Sequence, residues 1–305
     1  MRVIAGKSGT LYGVLAYTLW GIFPLYFTIL EPATPLEILA NRIIWSLVVC
    51  LLVLIALRRI HQLRQLNRRQ AILLSAAGIM LSINWLTFVY AVTTNQVVEA
   101  SLGYFINPLV TVALGVLLLK ERLSRAQWSA IALAAVAVVI LTLNYGRIPW
   151  IALTLALSFA GYGLLKKRAN VPAFESLTFE TMVLFIPALA LQGWLYWDGT
   201  ATLTGYGATH TMLLIGLGAI TTLPLVLFGA AAIRIPLTSL GLLQYIAPIL
   251  QFLIGVVILG ETMPPARWFG FVLVWIALMI FTWDSVRRAK SQSEPIPGNS
   301  ISRSD

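Results

Sequence analysis

The chain has 305 residues, of which 59% are hydrophobic and 10% charged, with mean hydropathy +0.87 and formal net charge +10. A soluble domain carries about 25% charged side chains, so the composition excludes an ordinary cytosolic enzyme or DNA-binding domain, and it excludes disorder, which needs low hydrophobicity. One cysteine, Cys50, excludes an internal disulfide framework, and two histidines, His61 and His210, are too few for a zinc site built on His and Cys.

A membrane helix needs about 20 mostly apolar residues. Taken in chain order, ten such segments are expected at 10–30, 36–57, 71–92, 98–119, 126–144, 149–165, 173–197, 211–233, 238–259 and 266–286. The first follows Arg2 and Lys7, as a signal peptide would. Its apolar run exceeds the usual h-region and no A-x-A-like site precedes Glu31, so an uncleaved first helix is expected. Short links such as Glu31–Pro35 make consecutive spans antiparallel neighbours. The polar stretch 287–305, with Pro295, Pro297, Gly298 and several serines, is expected to be a disordered cytoplasmic tail.

Lys and Arg set orientation. With the N-terminus inside, eighteen basic residues fall in inside segments: Arg2, Lys7, the group Arg58 to Arg69, Lys120 to Arg125, Lys166 to Arg168, Arg234, and those after 286. Two, Arg147 and Arg267, fall outside, and Arg42 lies within a span. Both termini are therefore expected in the cytoplasm. The net charge reads as a topology signal beside anionic headgroups, and nucleic acid is not an expected partner.

The halves repeat at a shift of 140. Pro108 falls on Pro248, Gly115 on Gly255, Glu121 on Glu261 and Trp128 on Trp268, giving P-x6-G-x5-E-x6-W twice; Gly21/Gly161 and Phe88/Phe228 coincide at the same shift. Five spans per half is an odd number, so the second copy sits inverted. Inverted repeats with a binding site at their interface mark secondary transporters. The expected fold is all-α and integral to the membrane, ten helices in two inverted five-helix repeats, 8–144 and 149–286.

Glu99-Ala-Ser-Leu-Gly-Tyr-Phe-Ile-Asn-Pro-Leu-Val110 resembles the fourth span of the EamA family, in the drug/metabolite transporter superfamily. Glu37-Ile-Leu-x-x-Arg42-x-Ile-Trp-Ser46, Asn84-Trp-Leu-x-Phe88, Glu180-Thr-Met182, Ser239-Leu-Gly241 and Gln244-Tyr-Ile-x-Pro248 carry the resemblance over nearly the whole chain. It implies a ten-helix bacterial inner-membrane protein, usually an exporter of small molecules.

Ionisable groups at membrane depth are costly and therefore functional candidates. Arg42 follows Glu37 by five residues, about 140° around a helix, so the two are poor partners. Glu99 or Glu180 across the bundle is the expected partner of Arg42. It would bind a substrate carboxylate or phosphate, take part in proton coupling, or simply fix helix register. Glu37 and Glu99, near outer helix ends, are candidates for proton coupling, for a vestibule that attracts cations, or for headgroup contact. Glu180, deeper, suits a proton carrier or a neutral helix–helix contact.

Asn107 and Gln244 lie comparably deep, flanked by Tyr104 and Tyr245, with Gln251 two turns on. Pro108 and Pro248 free carbonyls at that depth. This set suits a neutral or zwitterionic ligand, or serves as polar glue between helices. Trp20, Trp45, Asn84 and Trp85 are candidate cavity residues. Gly21 and Gly161 would permit close packing, and Glu121 and Glu261 read as helix-end residues with gating as the alternative.

No P-loop, G-x-S-x-G or H-E-x-x-H occurs, so no enzyme and no cofactor is expected. The leading expectation is a secondary-active transporter of a small organic solute, a drug or metabolite such as an amino acid or antibiotic, with membrane lipids as its surroundings and protons as candidate coupling ions. The alternative is a flippase for a lipid-linked small molecule.

Overall fold

The computed structural model describes residues 2–119, 124–232, 234 and 243–293. They form helices α1 (Arg2–Thr28), α2 (Pro35–Ala56), α3 (Arg68–Thr93), α4 (Val97–Leu119), α5 (Arg125–Tyr145), α6 (Trp150–Ala169), α7 (Ala173–Trp197), α8 (Gly207–Ala232), α9 (Ile246–Leu253) and α10 (Pro265–Ser293). There is no strand among the described residues. Among them, seven helices are long and apolar enough to cross a membrane. The expected ninth span, 238–259, is described only from Leu243: a turn, α9, then a π-helical turn over Ile254–Ile258. Helix α10 runs to Ser293, and 294–305 and Glu121 lie outside the described residues.

The helix boundaries follow from local chemistry. Thr34 caps α2 by accepting from the Glu37 N–H at 3.2 Å, with Pro35 at the first helical position. Asn67 with Gln70, and Ser124 with Gln127, form capping boxes at α3 and α5. Gly146, at φ 63°, ends α5 in the left-handed conformation that glycine adopts without strain.

Eight helices close into a ring in which each packs on two neighbours: α1, α8, α2, α7, α3, α6, α4, α9 and back to α1. Helices α5 and α10 pair with each other and lean on α4. The connections gather at two poles. The first holds the links 29–34, 94–96, 146–149, 198–206 and 259–264; the second holds 57–67 and 170–172. The buried apolar side chains divide accordingly. One cluster joins α4, α5 and α10 through Leu102, Phe105, Leu141 and Phe271. Another fills the ring through Phe23, Phe27, Phe88, Leu155 and Leu217.

In lipid there is little hydrophobic drive between helices, so small residues set the closest crossings. Gly218 of α8 lies against the Trp45 backbone of α2, and Gly103 of α4 against the Ala152 backbone of α6. Gly21 of α1 fits under Leu250, as the close-packing reading expected, whereas Gly161 has only Met80 nearby, at 3.6 Å from an added Cβ. A side chain at Gly218 must push α8 away from α2. Gly218→Val should therefore destabilise by about 1–3 kcal/mol, while Gly163→Ala, which meets nothing within 4 Å, should be neutral or slightly stabilising. Thermal unfolding of the purified variants in detergent measures both.

Candidate functional site

Arg42 of α2 is 4% exposed and sits at the centre of the ring. Its Nε donates to Thr221 Oγ1 of α8 at 2.9 Å. Its guanidinium carbon lies 4.2 Å from the Trp85 ring centroid, 5.5 Å from Phe23 and 5.7 Å from Phe27. Nη1 is buried without a hydrogen-bond partner. The cation is thus held by π faces and one hydroxyl.

The expected pairing of Arg42 with Glu99 or Glu180 does not occur, because both carboxylates have nearer cations. Glu99 Oε2 accepts from Arg147 Nη2 at 3.0 Å, and Glu99 Oε1 from the Ile151 N–H at 3.1 Å, at the first pole. Glu180 Oε1 accepts from Lys166 Nζ at 2.8 Å and from Ser176 Oγ at 3.1 Å. Tyr162 completes that group at 3.4 Å. Lys166, counted from the sequence as a loop charge, reaches back along α6 to do this.

Glu37, fully buried, is saturated. It accepts from the Thr202 N–H at 2.8 Å, Thr202 Oγ1 at 2.7 Å, the Leu203 N–H at 3.0 Å and Gln192 Nε2 at 3.3 Å. These bonds fasten the 198–206 link to α2. Asn41 joins Gln192 Oε1 at 3.0 Å and receives Trp45 Nε1 at 3.2 Å, so Trp45 is tied along its own helix.

Asn84 and Tyr104 come together beside Arg42. Tyr104 Oη donates to Asn84 Oδ1 at 3.1 Å, and Asn84 Nδ2 donates to the Leu155 carbonyl and to Ser158 Oγ, each at 3.1 Å. Tyr104 stacks edge-on to Phe88, which packs on Phe27, and its hydroxyl lies within electrostatic reach of Arg42. Trp20 packs at the rim of the same cluster, against Tyr17 and Phe228. Gln244 and Tyr245 fall elsewhere, in the turn before α9: Tyr245 bonds Gln244 and Thr282 and packs on the α4–α5–α10 cluster. Asn107 is half-buried and partnered.

The sequence reading passed over the chemistry of Pro24. Proline 24 has no N–H, which deprives the Trp20 carbonyl of its helical donor. Gln251 Nε2 of α9 supplies that donor at 3.2 Å, leaving Gln251 Oε1 buried and unpartnered. An i−4 count from each intramembrane proline would have found this.

At the first pole, a cavity of about 400 Å³ is lined by Asn95, Gln96, Glu99, Arg147, Leu259, Gly260, Glu261, Thr262 and Arg267. The Glu261 carboxylate accepts from the first two backbone N–H groups of α4, those of Val97 and Val98, the latter at 3.0 Å. Burial pushes the Glu261 carboxyl up from its usual range, and the two amides and Arg267 pull it back. A residue of the chain's second half thereby caps a helix of its first half. A second cavity, of about 330 Å³, is lined only by Phe105, Ile249, Phe252, Leu253 and Trp275.

The model of the EamA-like transporter family matches residues 7–143 and again 147–283. The chain is 52% identical to Protein RarD of Streptomyces exfoliatus, covering 93% of this chain and 91% of that one. It is 44% identical to the uncharacterized transporter YojE of Bacillus subtilis, covering 92% and 95%, and 38% identical to Protein RarD of Escherichia coli K12, covering 94% and 98%. A solved structure aligns with TM-score 0.59 at 19% identity, over 90% of this chain and 96% of that chain, a likeness of fold alone. The chain belongs to the EamA-like transporter family, among its RarD-like members.

Proposed function

We propose that the chain is a secondary-active exporter of a small organic solute, working by alternating access about a site between two inverted five-helix repeats, 8–144 and 149–286. One observation carries this reading: the way the ring interleaves. Pair α1 with α6, α2 with α7, α3 with α8, α4 with α9 and α5 with α10, as the 140-residue shift does. The neighbours α1–α8 then become α6–α3, α2–α8 become α7–α3, and α4–α6 become α9–α1, while α2–α7, α4–α9 and α5–α10 map onto themselves. Each extensive helix contact has its counterpart or is its own. Gly78, packed on the Glu180 backbone, and Gly218, packed on that of Trp45, occupy related crossings 140 residues apart. With five helices per copy, the two copies cross the membrane in opposite senses, and every joint of the ring is a joint between copies. Rocking one copy against the other then opens one pole as it closes the other.

In this reading the first pole faces outward and both termini face the cytoplasm of a bacterial inner membrane, supported by Arg147 and Arg267 alone standing against the basic cluster Arg58, Arg59, Arg64, Arg68 and Arg69 at the second pole. Arg42, Asn84 and Tyr104 hold the solute, with Trp20 at the rim; Asn107, Gln244 and Tyr245 join from the α4–α9 side as the copies move. Glu180 carries the coupling proton, since protonating it releases Lys166 from α7. Glu99 answers to Arg147 at the outer pole, and Glu37, saturated by four donors, anchors the 198–206 link. Among the described residues, the apolar cavity at Trp275 has no basic residue in its lining, which weighs against the flippase alternative.

Four outcomes follow. Proteoliposomes loaded with radiolabelled amino acids, nucleosides and chloramphenicol should exchange at least one of them, faster under a pH gradient. Glu180→Gln should abolish the gradient response while sparing exchange; indifference of the wild type to the gradient removes proton coupling. In a Cys50→Ala background, cysteines at His61 and Thr262 should react with impermeant maleimide from opposite faces. Glu261→Gln, which weakens the cap on α4, should raise labelling of a cysteine at buried Val98 by about tenfold, the equivalent of one charge-assisted hydrogen bond; unchanged labelling would deny Glu261 a part in outer closure.

A further inference from the structure

Among the described residues, the buried and half-buried acids are all engaged away from Arg42. Glu37 takes Thr202 and Leu203, Glu99 takes Arg147, and Glu175 has Arg59 at 3.8 Å. Glu180 takes Lys166, Glu261 caps α4, and Asp284 receives Ser124 Oγ at 2.8 Å. Arg42 is therefore a dehydrated cation with no carboxylate, and its Nη1 has no acceptor. Stranding a buried charge in this way is costly, and such a cost persists where function repays it.

A second open donor lies one turn further along α2. Ser46 is fully buried and its Oγ also has no partner. It follows Arg42 by four residues, so the two side chains rise one above the other on the same face of α2, with Cβ atoms about 5–6 Å apart. That face meets α8: Arg42 bonds Thr221, and one turn beyond Ser46, Cys50 Sγ lies 3.9 Å from Thr222 Oγ1. Ser46 is thus the unfilled member of a polar seam whose other members are matched. A planar oxyanion with two oxygens spans a guanidinium N–H and a hydroxyl.

We propose that Arg42 Nη1 and Ser46 Oγ form the seat for an oxyanion, a carboxylate or phosphate, borne by the transported solute. The proposal rests on the transporter reading and narrows it: the solute is an anion, or a zwitterion entering by its acidic group. The π faces of Trp85, Phe23 and Phe27 fix the guanidinium plane and favour an apolar or aromatic remainder on the solute.

Purified full-length protein in a phosphate-free, non-ionic detergent would be titrated with four probes: benzoate, phenyl phosphate, short-chain phosphatidylglycerol and neutral benzamide. Thermal stabilisation would be the readout. Saturable stabilisation by benzoate or phenyl phosphate, at least tenfold tighter than by benzamide, is expected. Benzoate being the tighter assigns a carboxylate, phenyl phosphate being the tighter assigns a phosphate, and a response to phosphatidylglycerol alone assigns a lipid headgroup and overturns the solute claim. Ser46→Ala should weaken the best anion about tenfold, and Arg42→Gln should erase the preference over benzamide. Should Arg42→Gln fail to fold, Ser46→Ala and the wild-type comparison still decide. Equal affinity for benzoate and benzamide, no response to any anion, or an unchanged response in Ser46→Ala overturns the seat. Exchange of neutral solutes by the same preparation in proteoliposomes would then leave the transporter reading standing while the charge class falls.

Discussion

A buried cation that no described carboxylate meets organises the middle of this bundle. In hydrocarbon an unpaired guanidinium is among the most costly groups a helix can carry. Here Arg42 is sheltered by three ring faces and Thr221, which do not consume all of its donors. Phe23 and Phe27 come from α1, Trp85 from α3 and Thr221 from α8, so the helices around α2 are positioned by the need to shelter one side chain. Replacing the aromatics by a carboxylate would make a firmer core and remove the open donor.

The ring surrounds that cation with helices from both halves of the chain. Consecutive neighbours alternate between the two halves of the chain, so no half holds a continuous wall of its own. The joints differ in kind. Glycine crossings such as Gly218 on Trp45 are close and apolar and suit sliding or rocking. The pole contacts are polar and directional: Glu261 on the α4 amides, Glu37 on the 198–206 link, Lys166 on Glu180. Directional bonds at the poles with smooth surfaces between them suit a device that exchanges one set of end contacts for another.

Much of the architecture was legible in the sequence because it depends on composition and period alone. The run of apolar helices and the all-α membrane class need no knowledge of tertiary contacts. The partners of charged groups were not legible, since they depend on which helices become neighbours. Arg42 was expected to meet Glu99 or Glu180; yet Arg147 stands nearer the first, and Lys166, with four methylenes, reaches inward to the second. Ser46 was visible only as part of a motif, and its meaning comes from an unmatched hydroxyl on the face of α2 that meets α8. The bond from Gln251 to the Trp20 carbonyl was within reach of sequence reasoning, because Pro24 announces a freed acceptor four residues back. The break around Tyr245 that shortens α9 was less so, as Gln244, Tyr245 and Pro248 read equally well as a continuous span.

The most direct measurement of the central claim is an experimental structure of the wild-type protein with 4-bromobenzoate, located by the anomalous signal of bromine. The carboxylate should lie on Arg42 Nη1 and Ser46 Oγ, with the bromophenyl ring against the Trp85 side of the cluster. A carboxylate bound away from α2, with Arg42 instead joined to an acidic side chain of the protein, would contradict it.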